Sequence, residues 1–448
     1  MSQTRSIPAQ ALLVMIVLVD LMGFTLVMPL LQRFASDYGF KPWQIGAVLA
    51  AFPLFQLIAG PILGRLSDRY GRRPVLVASQ FGTALSFALM AVSREFWVLL
   101  LARAIDGASG GNVLVAQAYL ADVTKPEERG KALGLLGAAF GVGFVLGPLL
   151  GGVLVKLPID PDWQLRLPFV VAALFSTIAW VLVWLKLPES LPREKRAARF
   201  TLSRGGPLSV VRVVRAPKIG RLVVVSALLT LTFSSLEGTF SNYLKSRVGW
   251  DAAEAAWAFA FLGLISAMVQ GGLIRPLINR FGEPRLVIFG VTTLALGMVA
   301  MALMSDWWGY LAACILIALG YGTSGPSVNG LLSRSVSPVD QGLVFGVVAS
   351  CQTLARMINY MVANLLLGSE GSSAPYWEAA FLALVALAVA WPVVVGVGPS
   401  TDHDATLPSE TLWSSDAADN LGRMPSSEPN GASNVPRQPS ESPTSATR

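Results

Sequence analysis

Residues 60–71 read GPILGRLSDRYG, and residues 271–282 read GGLIRPLINRFG. Two pairs of residues in these stretches are separated by 211 positions: Arg69 and Arg280, and Gly71 and Gly282. A spacing of 211 or 212 positions recurs further along the chain between Trp97 and Trp308, Gly130 and Gly342, and Gly134 and Gly346. A near-constant spacing over such a length indicates two duplicated halves in parallel arrangement.

The composition places both halves in a membrane. Of the 448 residues, 53% are hydrophobic and only 14% are charged, which is outside the range of ordinary soluble domains. A membrane-spanning helix needs about 20 mostly apolar residues. Twelve such runs, numbered here span 1 to span 12, are predicted at 9–31, 44–64, 75–93, 97–121, 131–155, 167–187, 219–241, 253–274, 286–304, 308–332, 342–367 and 377–397. The predicted fold class is an all-α membrane protein with two six-helix bundles.

The basic residues indicate how the chain is oriented. The segments after even-numbered spans hold most of the lysines and arginines, whereas those after odd-numbered spans hold only Arg33, Lys41, Arg94, Lys156, Arg166, Lys245 and Arg247. Basic residues concentrate on the cytoplasmic side of membrane proteins. We therefore predict cytoplasmic termini in the inner (plasma) membrane and no nucleic-acid partner, because the net charge of +7 reflects topology.

Few residues have side chains suited to catalysis or metal binding. The two cysteines, Cys314 and Cys351, lie inside predicted spans, and the single histidine, His403, lies near the C-terminus. No Gly-rich loop of the kind that cradles a phosphate is present. We expect no metal site, no cofactor and no enzymatic activity, and the protein is predicted to be a monomer that handles a small molecule.

Polar segments set the predicted domain boundaries. The stretch 188–218 is rich in arginine and proline and separates the first six spans from the last six, so it is predicted to be a cytoplasmic linker between bundles at 1–187 and 219–398. Residues 399–448 are rich in Ser, Pro, Thr and Asp and are predicted to be a disordered cytoplasmic tail, because they have too few apolar residues to form a core.

Two segments carry recognisable patterns. The loop after span 2 reads GRLSDRYGRR from Gly64 to Arg73, with a glycine that allows close helix approach and an aspartate that can interact with a helix dipole. Span 5 contains GVGFVLGPLLGG, whose glycines recur every fourth residue and so lie on one helix face. The residues alone also allow a generic positively charged loop and a plain packing seam.

Both segments resemble signatures of the major facilitator superfamily, and specifically of its twelve-span drug:proton antiporters of the tetracycline-efflux type. For the loop, the resemblance implies a gating latch between the bundles formed by Gly64, Asp68, Arg69, Gly71 and Arg72. For span 5, it implies export rather than import through a motif formed by Gly143, Gly147, Pro148, Gly151 and Gly152.

Charged residues inside spans are candidates for proton coupling, because an intramembrane charge is costly and needs a partner or a function. Span 4 contains Arg103 and Asp106, which share a helix face and can pair either structurally or to tune a nearby carboxylate. Asp20, in a stretch similar to the first span of tetracycline exporters, and Glu237 are candidate proton carriers. The alternatives are a structural hydrogen bond for Asp20 and a water-exposed position at the outer surface for Glu237.

Polar residues within spans are candidates for lining a substrate cavity or for joining helices. They are Gln56, Asn112, Gln117, Gln270, Asn329, Arg356 and Asn359. Arg356 needs a carboxylate, an anionic substrate or the latch as its partner. The tetracycline exporters also use an acid in span 3, a histidine in span 8 and an acid in span 9, and this chain has none of them, so we do not carry over the drug itself.

The predicted function is alternating-access transport, with proton-coupled efflux of a small amphipathic compound as the leading hypothesis. A uniporter or symporter of a sugar, organic anion or other metabolite is the first alternative. A membrane sensor or assembly partner that transports nothing is the second.

Overall fold

Long apolar helices joined by short polar connections make up the described part of the chain, which comprises residues 9–125, 128–196, 207–337 and 340–395 of this computed structural model. The predicted tail at 399–448 and part of the predicted linker lie outside these residues. The domain boundaries therefore remain predictions.

Twelve helical segments are long and apolar enough to cross a membrane, which confirms the predicted number. The α-helices run Ala9–Asp37, Pro42–Tyr70, Arg72–Val92, Phe96–Ser109, Asn112–Val123, Arg129–Val155, Pro161–Lys186, Pro207–Arg215, Pro217–Val248, Ala252–Met268, Ile274–Phe281, Glu283–Leu303, Trp307–Arg334, Gln341–Leu367 and Ala374–Val395. Span 4 consists of the fourth and fifth of these helices, and span 8 joins the tenth and eleventh through a π-helical turn, Val269–Leu273. The short helix Pro207–Arg215 precedes span 7.

Several spans extend beyond the predicted apolar runs, because polar residues next to an apolar run can continue the i→i−4 hydrogen bonds of the helix. Span 7, predicted at 219–241, runs from Pro217 to Val248. Pro217 stands in the first turn, where its missing N–H is not needed. Span 8 begins with a capping box in which Asp251 accepts from the Glu254 amide at 2.9 Å and the Glu254 carboxylate accepts from the Asp251 amide at 2.8 Å.

The repeat seen in the sequence is also present in the backbone. Gly71 has a φ of +107° between spans 2 and 3, and Gly282 has a φ of +77° between spans 8 and 9. Side chains with a Cβ avoid this region, so the glycine in each copy is required by the turn.

An ion pair follows each of these turns. In the first half, Arg72 Nε lies 3.1 Å from Asp122 Oδ2 and joins the start of span 3 to the end of span 4. In the second half, Glu283 Oε1 lies 2.6 Å from Arg334 Nη2 and joins the start of span 9 to the end of span 10. The two pairs occupy equivalent positions in the repeat, with the charges exchanged.

Spans 1–6 form the N bundle and spans 7–12 form the C bundle, each with an apolar core. The C bundle core includes Val291, Leu294 and Ile317, and the N bundle core includes Leu49 and Phe87. Tyr360 of span 11 packs into the N bundle core rather than its own, so the two cores meet at this residue.

The two bundles are in contact at one end, called here the closed end. Span 5 crosses span 8 so closely that a Cβ on Gly152 would collide with the indole of Trp257. Lys245 Nζ lies 2.6 Å from Asp37 Oδ1, and Lys156 Nζ lies 2.5 Å from Asp251 Oδ2. Both ion pairs connect the N bundle to the C bundle.

The opposite end is the open end, which carries the loop after span 2. A Cβ added at Gly64, Gly134, Gly271 or Gly342 would meet no atom of the described residues within 4 Å. These glycines belong to spans 2, 5, 8 and 11, the same spans that bring the bundles together at the closed end. The bundles therefore enclose a cleft that is shut at one end and accessible from the other.

Candidate functional site

Arg103 is the buried cation of the N bundle. Its Nη1 donates to Asp106 Oδ2 at 2.8 Å, one helical turn further along the same span. The guanidinium carbon also lies 4.7 Å from the ring centroid of Phe52, within cation–π range. Nε and Nη2 have no hydrogen-bond partner among the described residues. A single carboxylate and an aromatic face thus hold this charge inside the N bundle.

Asp20 lies beside the Arg103–Asp106 pair. Its Oδ1 accepts a hydrogen bond from Gln80 Nε2 of span 3, and its carboxyl group interacts electrostatically with that of Asp106. Gln80 itself is buried. The Asp20 carboxyl group is therefore positioned by a neutral donor, the side-chain amide of Gln80.

Glu237 and Arg356 form a second ion pair within the spans, between spans 7 and 11. Glu237 Oε2 lies 3.5 Å from Arg356 Nε. The Glu237 side chain is 3% exposed and the Arg356 side chain is 33% exposed. The alternative that Glu237 lies in water at the outer surface is therefore wrong, because the C bundle and span 1 cover it. Of the three partners open to Arg356, the carboxylate is the one observed.

The surroundings of Glu237 connect it to both bundles. Glu237 interacts electrostatically with Tyr360 of span 11, Tyr321 of span 10 and Arg103 of span 4. Gly238 follows it in sequence, and a Cβ there would lie only 2.9 Å from the Tyr360 ring. The absence of a side chain at residue 238 thus lets Tyr360 reach this turn of span 7.

A second carboxylate joins this network from span 12. Ser235 donates to Glu378 Oε2 at 2.8 Å, and Asn359 Nδ2 donates to Ser235 Oγ at 2.6 Å. Asn359 also donates to the Leu231 carbonyl at 2.7 Å and is only 1% exposed. Asn359, a cavity candidate, therefore joins helices in this conformation and does not face the cleft.

The predicted gating loop makes its observed contacts within the first half of the chain and the start of the linker. Arg72 Nη1 donates to Asp68 at 2.6 Å and to Ser67 Oγ at 2.6 Å. The Arg72 amide donates to Glu189 Oε1 at 2.9 Å. Arg69 lies over the ring of Tyr70, Gly64 has no described neighbour within 4 Å of an added Cβ, and Gly71 forms the turn already described. A latch between the bundles would act only in a conformation in which the end that is open here is shut, so the latch function stays a prediction.

The predicted span 5 motif forms a close helix crossing. A Cβ on Gly143 would lie 2.9 Å from Leu21 Cβ, and one on Gly151 would lie 3.1 Å from Leu30 Cδ1. A Cβ on Gly147 would collide with Thr25, whose hydroxyl donates to the Gly143 carbonyl at 2.7 Å. Three glycines therefore face span 1, Gly152 faces span 8, and Pro148 stands within the helix.

The remaining cavity candidates are dispersed. Gln56 is half-buried and donates to the Gly110 carbonyl at 3.3 Å, at the break in span 4. Gln117, Gln270 and Asn329 are exposed, with Gln270 in the π-helical turn of span 8. Asn112 begins the second helix of span 4, and its side chain lies outside the described part.

Sequence reasoning missed four polar residues that complete the network: Gln32, Gln80, Tyr360 and Glu378. Glu378 is an acid inside a span, so the rule that flagged Asp20 would also have found it. The other three are neutral, and their part in the network depends on which helix they face. The helix that a side chain faces is known only once the bundles are packed.

Comparison with known proteins gives a consistent result. The Major Facilitator Superfamily model matches residues 13–359 and 272–418. A tetracycline resistance protein, class C, of Escherichia coli is 33% identical over 366 residues, covering 80% of this chain and 89% of the relative. The major facilitator superfamily domain-containing protein 10 of Bos taurus is 31% identical over 423 residues, covering 83% of this chain and 90% of the relative.

Solved structures show the same architecture. The crystal structure of the human organic anion transporter MFSD10 superimposes with a TM-score of 0.65 at 27% identity, covering 86% of this chain and all (100%) of the other. A bacterial homologue of the human lysosomal transporter Spinster, inward-facing and occupied, gives a TM-score of 0.72 at 16% identity, covering 86% and 96%. The second likeness concerns the fold alone.

Proposed function

The chain belongs to the Major Facilitator Superfamily and is a multi-pass transporter of the inner (plasma) membrane, not an enzyme, and from this premise we propose that it exports a small amphipathic compound in exchange for protons. One observation carries the proposal. A carboxylate and an arginine, Glu237 and Arg356, are paired inside the membrane-spanning region where the two bundles meet.

The pair has the properties that a proton carrier needs. Charges within the membrane are expensive and are kept where they move ions or bind substrate. Glu237 is covered when the closed end is shut, while Arg356 remains partly exposed. Protonation of Glu237 would remove its charge and release Arg356, so the proton changes which groups the cleft presents to a substrate.

The transport cycle follows from this geometry. We take the open end as cytoplasmic, as the distribution of basic residues predicts. In this state the ionised Glu237 pairs with Arg356, the proton has left to the cytoplasm, and the cleft accepts substrate. After the bundles rock, a proton from the outside binds Glu237 and the substrate leaves to the same side. Asp20 is the second proton carrier, positioned by Gln80 and tuned by Arg103 and Asp106.

The direction and the substrate class rest on two further observations. Several relatives at about 30% identity carry the name tetracycline resistance protein, which supports drug efflux for this chain. The glycine face of span 5, which lets spans 1 and 5 cross closely, is the feature associated with exporters. The substrate class is therefore an amphipathic, drug-like compound.

The test uses purified protein in proteoliposomes with a pH-sensitive dye inside and a panel of cationic, neutral and anionic compounds. We expect substrate-dependent proton flux for the wild type and its loss in Glu237→Gln and Asp20→Asn. Glu95→Gln and Asp306→Asn, at exposed helix starts, are the matched controls and should transport normally. Substrate flux that ignores an imposed proton gradient in the wild type would contradict antiport.

Transport of an organic anion is the second candidate, and it has an observation in its favour. The human relative with a solved structure is described as an organic anion transporter, and here Arg356 reaches the cleft with a third of its side chain exposed. In the same panel, this candidate requires that only anionic compounds drive flux. It also requires that Arg356→Lys raises the KM for them while Glu237→Gln does not.

A further inference from the structure

Two layers of contacts join spans 1 and 7 at the closed end, and the Glu237–Arg356 pair between spans 7 and 11 lies further in. The outermost layer is the ion pair between Asp37 and Lys245. One turn further in, Asn242 Nδ2 donates to the backbone carbonyl of Gln32 at 3.2 Å, and Gln32 Nε2 donates to the backbone carbonyl of Glu237. We call these two hydrogen bonds, from the side-chain amides of Asn242 and Gln32 to backbone carbonyls of the opposite span, the amide clasp.

The amide clasp is buried and imperfectly satisfied. Gln32 is 0% exposed, and its Oε1 has no donor among the described residues. The Oδ1 of Asn242 is likewise without a donor in this part of the chain. Buried acceptors without donors are unfavourable in the folded protein, and an apolar residue would avoid them. The contact is therefore poorly explained as a device for stability alone.

The position of the amide clasp suggests its use. Gln32 belongs to the N bundle, whereas Asn242 and Glu237 belong to the C bundle, so both hydrogen bonds depend on the closed end being shut. Separating the bundles at this end must break them. The layer that breaks is also the layer that lies between the outer ion pair and the carboxylate of Glu237.

We propose that Gln32 is a coupling residue that seals Glu237 from the closed end, so that the carboxylate can take up a proton from that side only when spans 1 and 7 separate. This inference rests on the proposed proton exchange at Glu237. The titratable and charged groups that face Glu237 include Arg356 and Tyr360 of span 11, Tyr321 of span 10 and Arg103 of span 4, and none of these covers it from span 1. Gln32 does so through the backbone of residue 237 itself.

The first measurement does not depend on transport. Purified protein is treated with a water-soluble carbodiimide and an amine, and modification of Glu237 is quantified by peptide mass spectrometry. We expect Gln32→Ala to raise the modification rate about tenfold, equivalent to a loss of about 1.4 kcal/mol from the free energy that keeps the closed end shut. Gln164→Ala, at the same end but bonded to the Leu157 carbonyl, is the control and should leave the rate unchanged. Asn242→Ala removes the partner contact and should give an intermediate rate.

The second measurement is proton leak into proteoliposomes without substrate. Gln32→Ala should leak protons, and adding Glu237→Gln should abolish the leak, since the leak passes through that carboxylate. A leak that persists in Gln32→Ala/Glu237→Gln reflects general loosening and overturns the proposal. An unchanged modification rate in both Gln32→Ala and Asn242→Ala also overturns it, and does so even if the wild type proves not to be an antiporter.

Discussion

Two arginines within the spans of this transporter, Arg103 and Arg356, are held in different ways. Arg103 pairs with Asp106 on its own helix, at 2.8 Å, and lies over the ring of Phe52. Arg356 reaches from span 11 to Glu237 on span 7, at 3.5 Å, and Glu237 is in turn bonded through its backbone to span 1. The first pair is contained in one helix, whereas the second joins two helices of the C bundle, and span 1 of the N bundle is hydrogen-bonded to the backbone of Glu237.

This difference separates a fixed charge from a movable one. Rigid-body rocking of the bundles leaves an i,i+3 pair intact, because both residues move with one helix. The Glu237–Arg356 pair also lies within one bundle, but rocking removes the hydrogen bond that Gln32 of span 1 donates to the backbone of Glu237. We therefore expect Arg103 to set a constant electrostatic environment and Glu237 with Arg356 to respond to the transport cycle.

The largest effect is expected from breaking the movable pair. Arg356→Gln leaves Glu237 buried without its partner, which should lower the free energy of unfolding by about 3–5 kcal/mol and abolish proton-driven transport. The double variant Glu237→Gln/Arg356→Gln should recover most of the stability and none of the proton coupling. Unfolding in detergent and dye-detected proton flux measure the two quantities. A single variant as stable as the wild type would show that the pair is not formed.

A smaller effect is expected at the fixed pair. Arg103→Lys keeps the charge near Asp106 but loses the planar contact with Phe52, which should lower the free energy of unfolding by about 1–2 kcal/mol while proton coupling persists. Phe52→Leu tests the same contact from the other side. The combined variant should be less destabilised than the sum of the two, since both remove one interaction. Full additivity would contradict the contact, and loss of coupling in Arg103→Lys would contradict its fixed role.

The same comparison shows how far the sequence can be interpreted. The twelve spans, the repeat and the partner of Arg103 follow from apolar runs and helical spacing, which are local properties. The partner of Arg356 is more than a hundred residues away, and the role of Gln32 depends on which side of span 1 faces span 7. The sequence identifies Glu237 and Arg356 as candidates separately, because a charge is costly inside a membrane. Only the packing shows that the charge of one residue compensates the charge of the other.

The smallest effect is expected at the exposed pair between Lys156 and Asp251, which lies outside the spans. Burial acts to raise the pKa of Asp251, but hydrogen bonds from Lys156 and from the amides of Glu254 and Ala253 hold that pKa below its ordinary value of 3.8. The hydrogen bond and charge of Asp251 raise the pKa of Lys156 above 10.5. The contribution of Asp251 to the stability of the folded protein is thus fully present above pH 3.8 and is lost as the pH falls through its lowered pKa. The contribution of Lys156 to that stability is fully present below pH 10.5 and is lost as the pH rises through its raised pKa.

The pair should therefore be insensitive to pH between about 5 and 9 and sensitive to salt. Cys314→Ala and Cys351→Ser remove the native cysteines, so that Gln164→Cys introduces a single cysteine. Its reactivity measures how accessible the closed end is to solvent, because residue 164 lies beside Lys156. Adding Lys156→Gln should raise the maleimide labelling rate of this cysteine by less than about twofold at low salt. The ratio of the labelling rates with and without Lys156→Gln should be constant over this pH range and should fall towards one at high salt. A ratio that changes across this range would mean that another group titrates at the closed end.

The exchanged charges of the two inter-span pairs bear on how the chain assembles. Arg72 pairs with Asp122 in the first half, and Glu283 pairs with Arg334 in the second. During insertion, span 3 could in principle dock on span 10, and span 9 on span 4, because the halves share one architecture. Those wrong dockings would bring Arg72 against Arg334 and Glu283 against Asp122. Like charges repel in both, so the sign reversal disfavours these wrong dockings.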